Sequence, residues 1–160
     1  MACEIERKFL VDTAQWTPPA QGVKILQGYL VRSEKVSVRL RLADKQAFLT
    51  LKGSTRGISR SEFEYEIPPA DAMQMMQEFS DGNFVCKTRY YVQVGKHCWE
   101  VDVFDGANAP LVMAEIELAS EDEEFEKPDW ILEEVSADRR YRNAYLAGHP
   151  YSQWQIEEKA

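Results

Sequence analysis

Between residues 59 and 67 the chain reads SRSEFEYEI, with Arg60, Glu62, Glu64 and Glu66 on one parity and Phe63, Tyr65 and Ile67 on the other. Successive side chains of an extended strand point to opposite faces, so this stretch predicts a strand over Ser61 to Ile67 with one charged face and one apolar face. The same alternation continues outward on both sides. It predicts strands over Glu4 to Val11, Ile25 to Val31, Val36 to Leu42 and Gln46 to Lys52 before it, and over Val85 to Val94, Cys98 to Phe104 and Val112 to Leu118 after it. Turn signals separate them: Pro18-Pro19, Ala43-Asp44, Gly53 with Gly57, Gly95-Lys96, and Asp105-Gly106 leading to Pro110.

Eight such strands suit a barrel wide enough for side chains or one small ligand. Helices are fewer. Pro68-Pro69 before ADAMQMMQEF predicts a helix start with Asp71 near the cap, and Met73, Met75 and Met76 read as core packing. A short acidic helix is expected over residues 121 to 127, stopped by Pro128, and a last helix from Ser136-Ala-Asp138 through Leu146. The expected fold class is α+β, an eight-stranded antiparallel closed β-barrel with a few flanking helices. One domain covers residues 1–147, and 148–160 form a peripheral tail on which Tyr151 and Trp154 are candidates to dock.

Seven of the eight expected strands carry charge on one parity, Ile25 to Val31 being the exception. Glu4, Glu6 and Lys8 share a face, as do Arg39 and Arg41, Lys87 and Arg89, Glu100 and Asp102, and Glu115 and Glu117; Thr50 and Lys52 sit opposite Leu49 and Leu51. A sheet with one face in water is one explanation. The charges, however, come in same-sign doublets, whereas a solvated sheet surface intersperses signs. The alternative is a barrel with apolar residues outside and charges lining the lumen. So many buried charges need partners, a metal or a ligand. A guest that satisfies both signs is a metal-bound polyphosphate, its cation on carboxylate oxygens and its phosphoryl oxygens on Arg and Lys.

Composition narrows the class. At 160 residues, 44% hydrophobic and 29% charged, the chain reads as one soluble globular domain. Its net charge of −8 argues against a nucleic-acid partner. No apolar run is long enough to span a membrane, and MACEIERKF is not a signal peptide, so a cytoplasmic location is expected. Three cysteines without zinc spacing and two histidines leave carboxylates as metal ligands, which favours Mg2+ or Mn2+.

EIERKFLV at 4–11 resembles the ExExK signature of the CYTH superfamily, the triphosphate tunnel metalloenzymes. The likeness continues in order through LQGYL (26–30), VRLRL (38–42), LTLKG (49–53), SRSEFEYEI (59–67), KTRYY (87–91), WEVDVFDG (99–106), MAEIEL (113–118) and EEVSADRRYRN (133–143). The resemblance implies metal ligation by Glu4, Glu6, Glu115 and Glu117, with Asp102 matching a further acid. It implies phosphate binding by Lys8, Arg39, Arg41, Lys52, Arg60, Lys87 and Arg89. Arg140 resembles a basic residue brought over the tunnel mouth, with Arg139 or Arg142 as alternatives. Glu62 and Glu64 are expected to serve a second metal or the attacking water, Lys87 or a neighbouring Arg the leaving phosphate, and Tyr29 to touch the site. Glu66 and Glu100 have the right parity but no family counterpart.

The activity so implied is metal-dependent hydrolysis of a small-molecule triphosphate, with inorganic tripolyphosphate favoured. Thiamine or nucleotide triphosphate hydrolysis, class IV adenylyl cyclase and a non-catalytic polyphosphate-binding module remain the alternatives, and a homodimer is left open.

Overall fold

The computed structural model describes residues 2–19 and 21–154. Eight strands form a ring, all neighbours antiparallel: β1 (Cys3–Val11), β2 (Val23–Arg32), β3 (Val36–Ala43), β4 (Gln46–Gly53), β5 (Ser59–Ile67), β6 (Phe84–Val94), β7 (His97–Phe104) and β8 (Val112–Glu117). The spatial order is β5-β4-β3-β2-β6-β7-β8-β1, and β1 closes on β5 by pairing Cys3 to Ile5 with Ser59 to Ser61. This is the barrel the alternation called for, with strand limits within about two residues of those expected.

The apolar faces lie outside the ring. Over β2, β3 and β4 sits helix α1 (Pro69–Phe79), whose Ala72 and Met76 pack with Leu40 and Ala47. Pro at its first position presets the helical φ, and Ser80 ends it by donating its hydroxyl to the Met76 carbonyl at 2.6 Å. Of the three methionines expected in the core, Met73 is instead 54% exposed. It points away from the stripe that Ala72 and Met76 define four residues apart.

Over β1, β7 and β8 the outer cluster gathers Phe9, Trp99, Val101, Ile116 and Trp16 under Phe125 and Trp130. Residues 121 to 127, expected as a helix, form turns and extended chain. Glu123 accepts a bond from the Ala119 amide and pairs with His97 Nε2, while the Arg7 guanidinium donates to the Glu121 carbonyl at 3.0 Å. Phe125 meets Phe9 and Trp99 edge to face. Tertiary contacts thus hold the segment as a strap.

A ninth strand, β9 (Ile131–Glu134), absent from the sequence reading, pairs with β1 at Phe9 and Val11. Four residues are too few for alternation to stand out. The expected last helix is broken in two, a 3-10 turn at Arg139–Tyr141 and α2 (Asn143–Gly148). Arg142 between them is extended, with φ −73° and ψ 140°. This cap packs Tyr141, Leu146, Ala147 and Trp154 onto Tyr29, Val85, Phe104 and Met113, which project to the inside of the barrel. The last six residues of the expected tail lie outside the described residues.

Candidate active site

The ring encloses a cavity of about 1060 Å3. Ten Lys and Arg side chains line it against eight Glu, in a chain whose net charge is −8. Positive charge is therefore concentrated inside the barrel. From the sequence-derived set, Glu4, Glu6, Lys8, Tyr29, Arg39, Arg41, Lys52, Arg60, Glu62, Glu64, Lys87, Arg89, Glu115 and Glu117 all face this space.

Strand register explains the grouping. Glu6 on β1 stands opposite Glu117 on β8, and Lys8 opposite Glu115. Tyr29 of β2 stands opposite Arg39, which in turn stands opposite Thr50 and, through it, Glu64. Side chains of one parity thereby form continuous rows around the lumen.

On one wall, Lys52 Nζ lies 3.2 Å from both Glu4 Oε2 and Glu62 Oε2, and Arg60 Nε is 3.5 Å from Glu4 Oε1. Arg39 donates to Thr50 Oγ1 at 3.2 Å and approaches Glu64 at 3.4 Å. Its Nε is buried and has no partner among the described residues. On the facing wall, Arg89 forks onto both Asp102 oxygens at 2.8 and 2.9 Å, and Lys87 Nζ lies 2.7 Å from Asp102 Oδ2. Lys8 Nζ donates to the Tyr141 carbonyl at 3.1 Å and lies 3.6 Å from Glu115.

Burial and like charges shift these groups. Burial first, then the neighbouring Glu115, pushes Glu6 up to about 8. Burial likewise raises Glu4, against the pull of Lys52, and raises Glu117 with help from Glu4. Burial works against the ionised Glu115, but Lys8 and Arg89 outweigh it and hold that carboxyl well below the usual range. Lys87 is lowered to about 7 by complete burial, which Asp102 only partly offsets. Burial and the adjacent Arg39 bring Arg41 down to about 10.

Two of the sequence-derived residues are placed elsewhere. Asp102 is 2% exposed, lies behind the lining, and gives its oxygens to Lys87 and Arg89. Arg140 turns away from the cavity, forks onto Asp138 and stacks over Trp154 at 5.0 Å. Arg139 and Arg142 face the cavity instead. Burial, then Arg60 and Arg139, lower Arg142. Glu100 also lines the space, 3.3 Å from Arg89.

Residues that sequence reasoning passed over are Gln27, Asn143 and the rim pair Tyr145 and His149. Gln27 had the parity signal, one residue before Gly28 in the quoted LQGYL. Asn143 ends the quoted EEVSADRRYRN stretch with no parity to mark it, and Tyr145 and His149 had no signal, because all three reach the site from the cap.

An antiparallel tunnel with its core outside and a charged, cation-rich interior defines the class of protein. The chain belongs to the CYTH family, whose domain it matches over residues 2–144. It is 44% identical over 151 residues to an inorganic triphosphatase of Acetivibrio thermocellus, spanning 94% of this chain and 97% of that protein. An inorganic triphosphatase of Nitrosomonas europaea is 40% identical over 148 residues, spanning 90% of this chain and 96% of that protein. A solved inorganic triphosphatase structure aligns with a TM-score of 0.64 at 37% identity, over 92% of this chain and 95% of that chain.

Proposed function

We propose that this protein hydrolyses triphosphates in its tunnel, inorganic tripolyphosphate first among them, with a divalent metal as cofactor. The observation that carries the reading is the convergence of Arg39, Arg41, Lys52, Lys87 and Arg89 on one enclosed space beside under-compensated carboxylates. A triphosphate near neutral pH brings about four to five negative charges, which this set is placed to offset.

The carboxylates fit a hard cation. Their donors are all oxygen, and burial, with Glu115 and Glu4 crowding beside it, pushes Glu6 up to about 8. Among the described residues no three ligand side chains already converge on one point, Glu4 being engaged with Lys52 and Arg60. Glu4, Glu6 and Glu117, with Glu115 beside them, would hold Mg2+ or Mn2+; Asp102 is committed to Lys87 and Arg89. The bound ion would supply charge neutralisation and polarisation of the phosphoryl oxygens.

The chain's own residues do the rest. Arg39, whose Nε has no partner among the described residues, and Arg41 bind phosphoryl oxygens and fix the triphosphate along the tunnel. Lys87, lowered to about 7, is poised to hold a proton against the leaving phosphate oxygen. Glu62 and Glu64 sit where a water can be oriented, on the wall formed with Lys52 and Arg39.

Phosphate release from tripolyphosphate, ATP and thiamine triphosphate, each with Mg2+, Mn2+ or chelator, tests the reading. Metal-dependent release from tripolyphosphate is expected, lowered about a hundredfold or more by Glu4→Gln. Absence of release from all three overturns it. Preference for an organic triphosphate is the second reading, favoured by Tyr145 and His149, whose rings meet at 5.3 Å on the cavity rim.

A further inference from the structure

The lumen cations are held by more than carboxylates. Gln27, fully buried on β2, accepts from Arg41 Nε at 2.9 Å through Oε1 and donates through Nε2 to Asn143 Oδ1 at 3.1 Å. The same Asn143 oxygen accepts from Lys87 Nζ at 2.9 Å. Lysine ammonium and arginine Nε only donate, so the orientation of both amides is fixed by the cation at each end. The result is a chain Arg41–Gln27–Asn143–Lys87, continued by Asp102 to Arg89. Arg41, Gln27 and Lys87 come from strands of the barrel wall, and Asn143 comes from the first position of α2 in the cap.

We propose that Gln27 and Asn143 are positioning residues that act as one unit, setting Lys87 Nζ and the Arg41 guanidinium for the phosphoryl groups, so that docking of the cap completes the site. Neither needs to touch the substrate. Lys87 has four rotatable bonds and is held at one side by Asp102, and a second acceptor anchored by a packed cap further limits where its ammonium points. An amide pair whose two oxygens and Gln27 nitrogen are each matched to a partner rigidifies what it joins. Removing either amide leaves the other on its own cation but breaks the link that ties Arg41 on the barrel wall to Lys87 through the cap.

This rests on the triphosphate reading, so turnover and binding are measured separately. Variants Asn143→Ala, Gln27→Leu and their double are compared with Asn108→Ala. Asn108 also anchors the cap, its Oδ1 accepting from the Tyr151 amide at 2.9 Å, but it does not line the cavity. The readouts are kcat and KM for tripolyphosphate, its affinity by calorimetry in chelator, Tm, and the near-UV spectrum of the cap aromatics.

Each single variant is expected to lose about ten- to a hundredfold in kcat/KM with the near-UV spectrum kept. The double should lose no more than the worse single, because the two act as one unit. Asn108→Ala should lower Tm while holding kcat/KM within about twofold of the parent. Near-normal turnover by either single, losses that multiply in the double, or an equal loss in Asn108→Ala would overturn the proposal. If Asn143→Ala loses its near-UV spectrum, Gln27→Leu carries the same comparison. If the parent binds tripolyphosphate without hydrolysing it, the hydrolase reading fails and the network stands or falls on the calorimetric affinities. If the parent does neither, both fall.

Discussion

Glu6 and Arg142 show how one side chain's surroundings set its behaviour. Glu6 sits between Glu115 and Glu4 in a buried row and is raised from 4.5 to about 8. The folded protein therefore keeps a proton there that the unfolded chain has released. That contribution to stability is full below about pH 4.5 and is lost as pH rises through 8. Glu6→Gln removes the titration, so in chelator its Tm should gain on the parent's steadily between those two values. A difference independent of pH would contradict this account of Glu6. Mg2+ should raise the parent's Tm and not the variant's, since the ion replaces the proton only where the carboxylate exists. Arg140 and Arg142, two residues apart, should separate cleanly. Arg142→Ala is expected to raise KM for tripolyphosphate several-fold, because its charge faces the cavity beside Arg60. Arg140→Ala should lower Tm instead, by removing the stack on Trp154 and the fork on Asp138. The reverse pattern would mean that Arg140 reaches the substrate.

The elements divide into a wall that the strands build and two coverings that only packing specifies. Trp154 is 4% exposed and meets Tyr141 at 5.2 Å, so the cap behaves as a small core set into one end of the barrel. Trp154→Ala should cost about 3–5 kcal/mol by urea titration. It should also lower kcat beyond what the stability loss explains, because Asn143 and the Tyr141 carbonyl contact Lys87 and Lys8 from the cap. The strap is the contrast. Phe125 closes the outer cluster against Phe9 and Trp99 on the face away from the lumen. Phe125→Ala is expected to cost about 2–4 kcal/mol, the partly buried end of the range for such truncations, with kcat/KM of the folded fraction unchanged. A matching fall in kcat/KM would show that the outer layer sets the geometry of the tunnel. Neither covering was legible from local pattern. The acidic run at 121–127 has helix-compatible composition, but Glu123 is taken up by His97 and the Ala119 amide. The residues after Ser136 are helix formers interrupted by the extended Arg142.

At the scale of the whole molecule, an acidic protein encloses a cation-rich cavity, and the charges there are stacked in like-signed rows. Filling the cavity should stabilise the fold. Tripolyphosphate with Mg2+ at about a hundred times its dissociation constant is expected to add about 2.7 kcal/mol. At about 2–4 °C per kcal/mol for a chain of this size, that is an upward shift in Tm of roughly 5–11 °C. No shift would place the ligand elsewhere. The barrel and most of its lining were readable because a strand has a period of two: Arg39 and Arg41, Lys87 and Arg89, and Glu115 and Glu117 could not share a face in any other regular structure. Which face turned inward was a matter of the doublets, since a solvated sheet has the same period. What periodicity could not supply is anything set across the barrel or from its end. That Asp102 would be taken up inside the barrel by Lys87 and Arg89, that Arg142 rather than Arg140 would look into the cavity, and that Gln27 and Asn143 would join β2 to the cap all depend on contacts between segments, in the last case more than a hundred residues apart. The sequence by itself determined the strands, their two faces and the charge carried on each. The tertiary structure alone decided which charges meet, because pairing depends on register, shear and the docking of irregular segments, none of which leaves a local period.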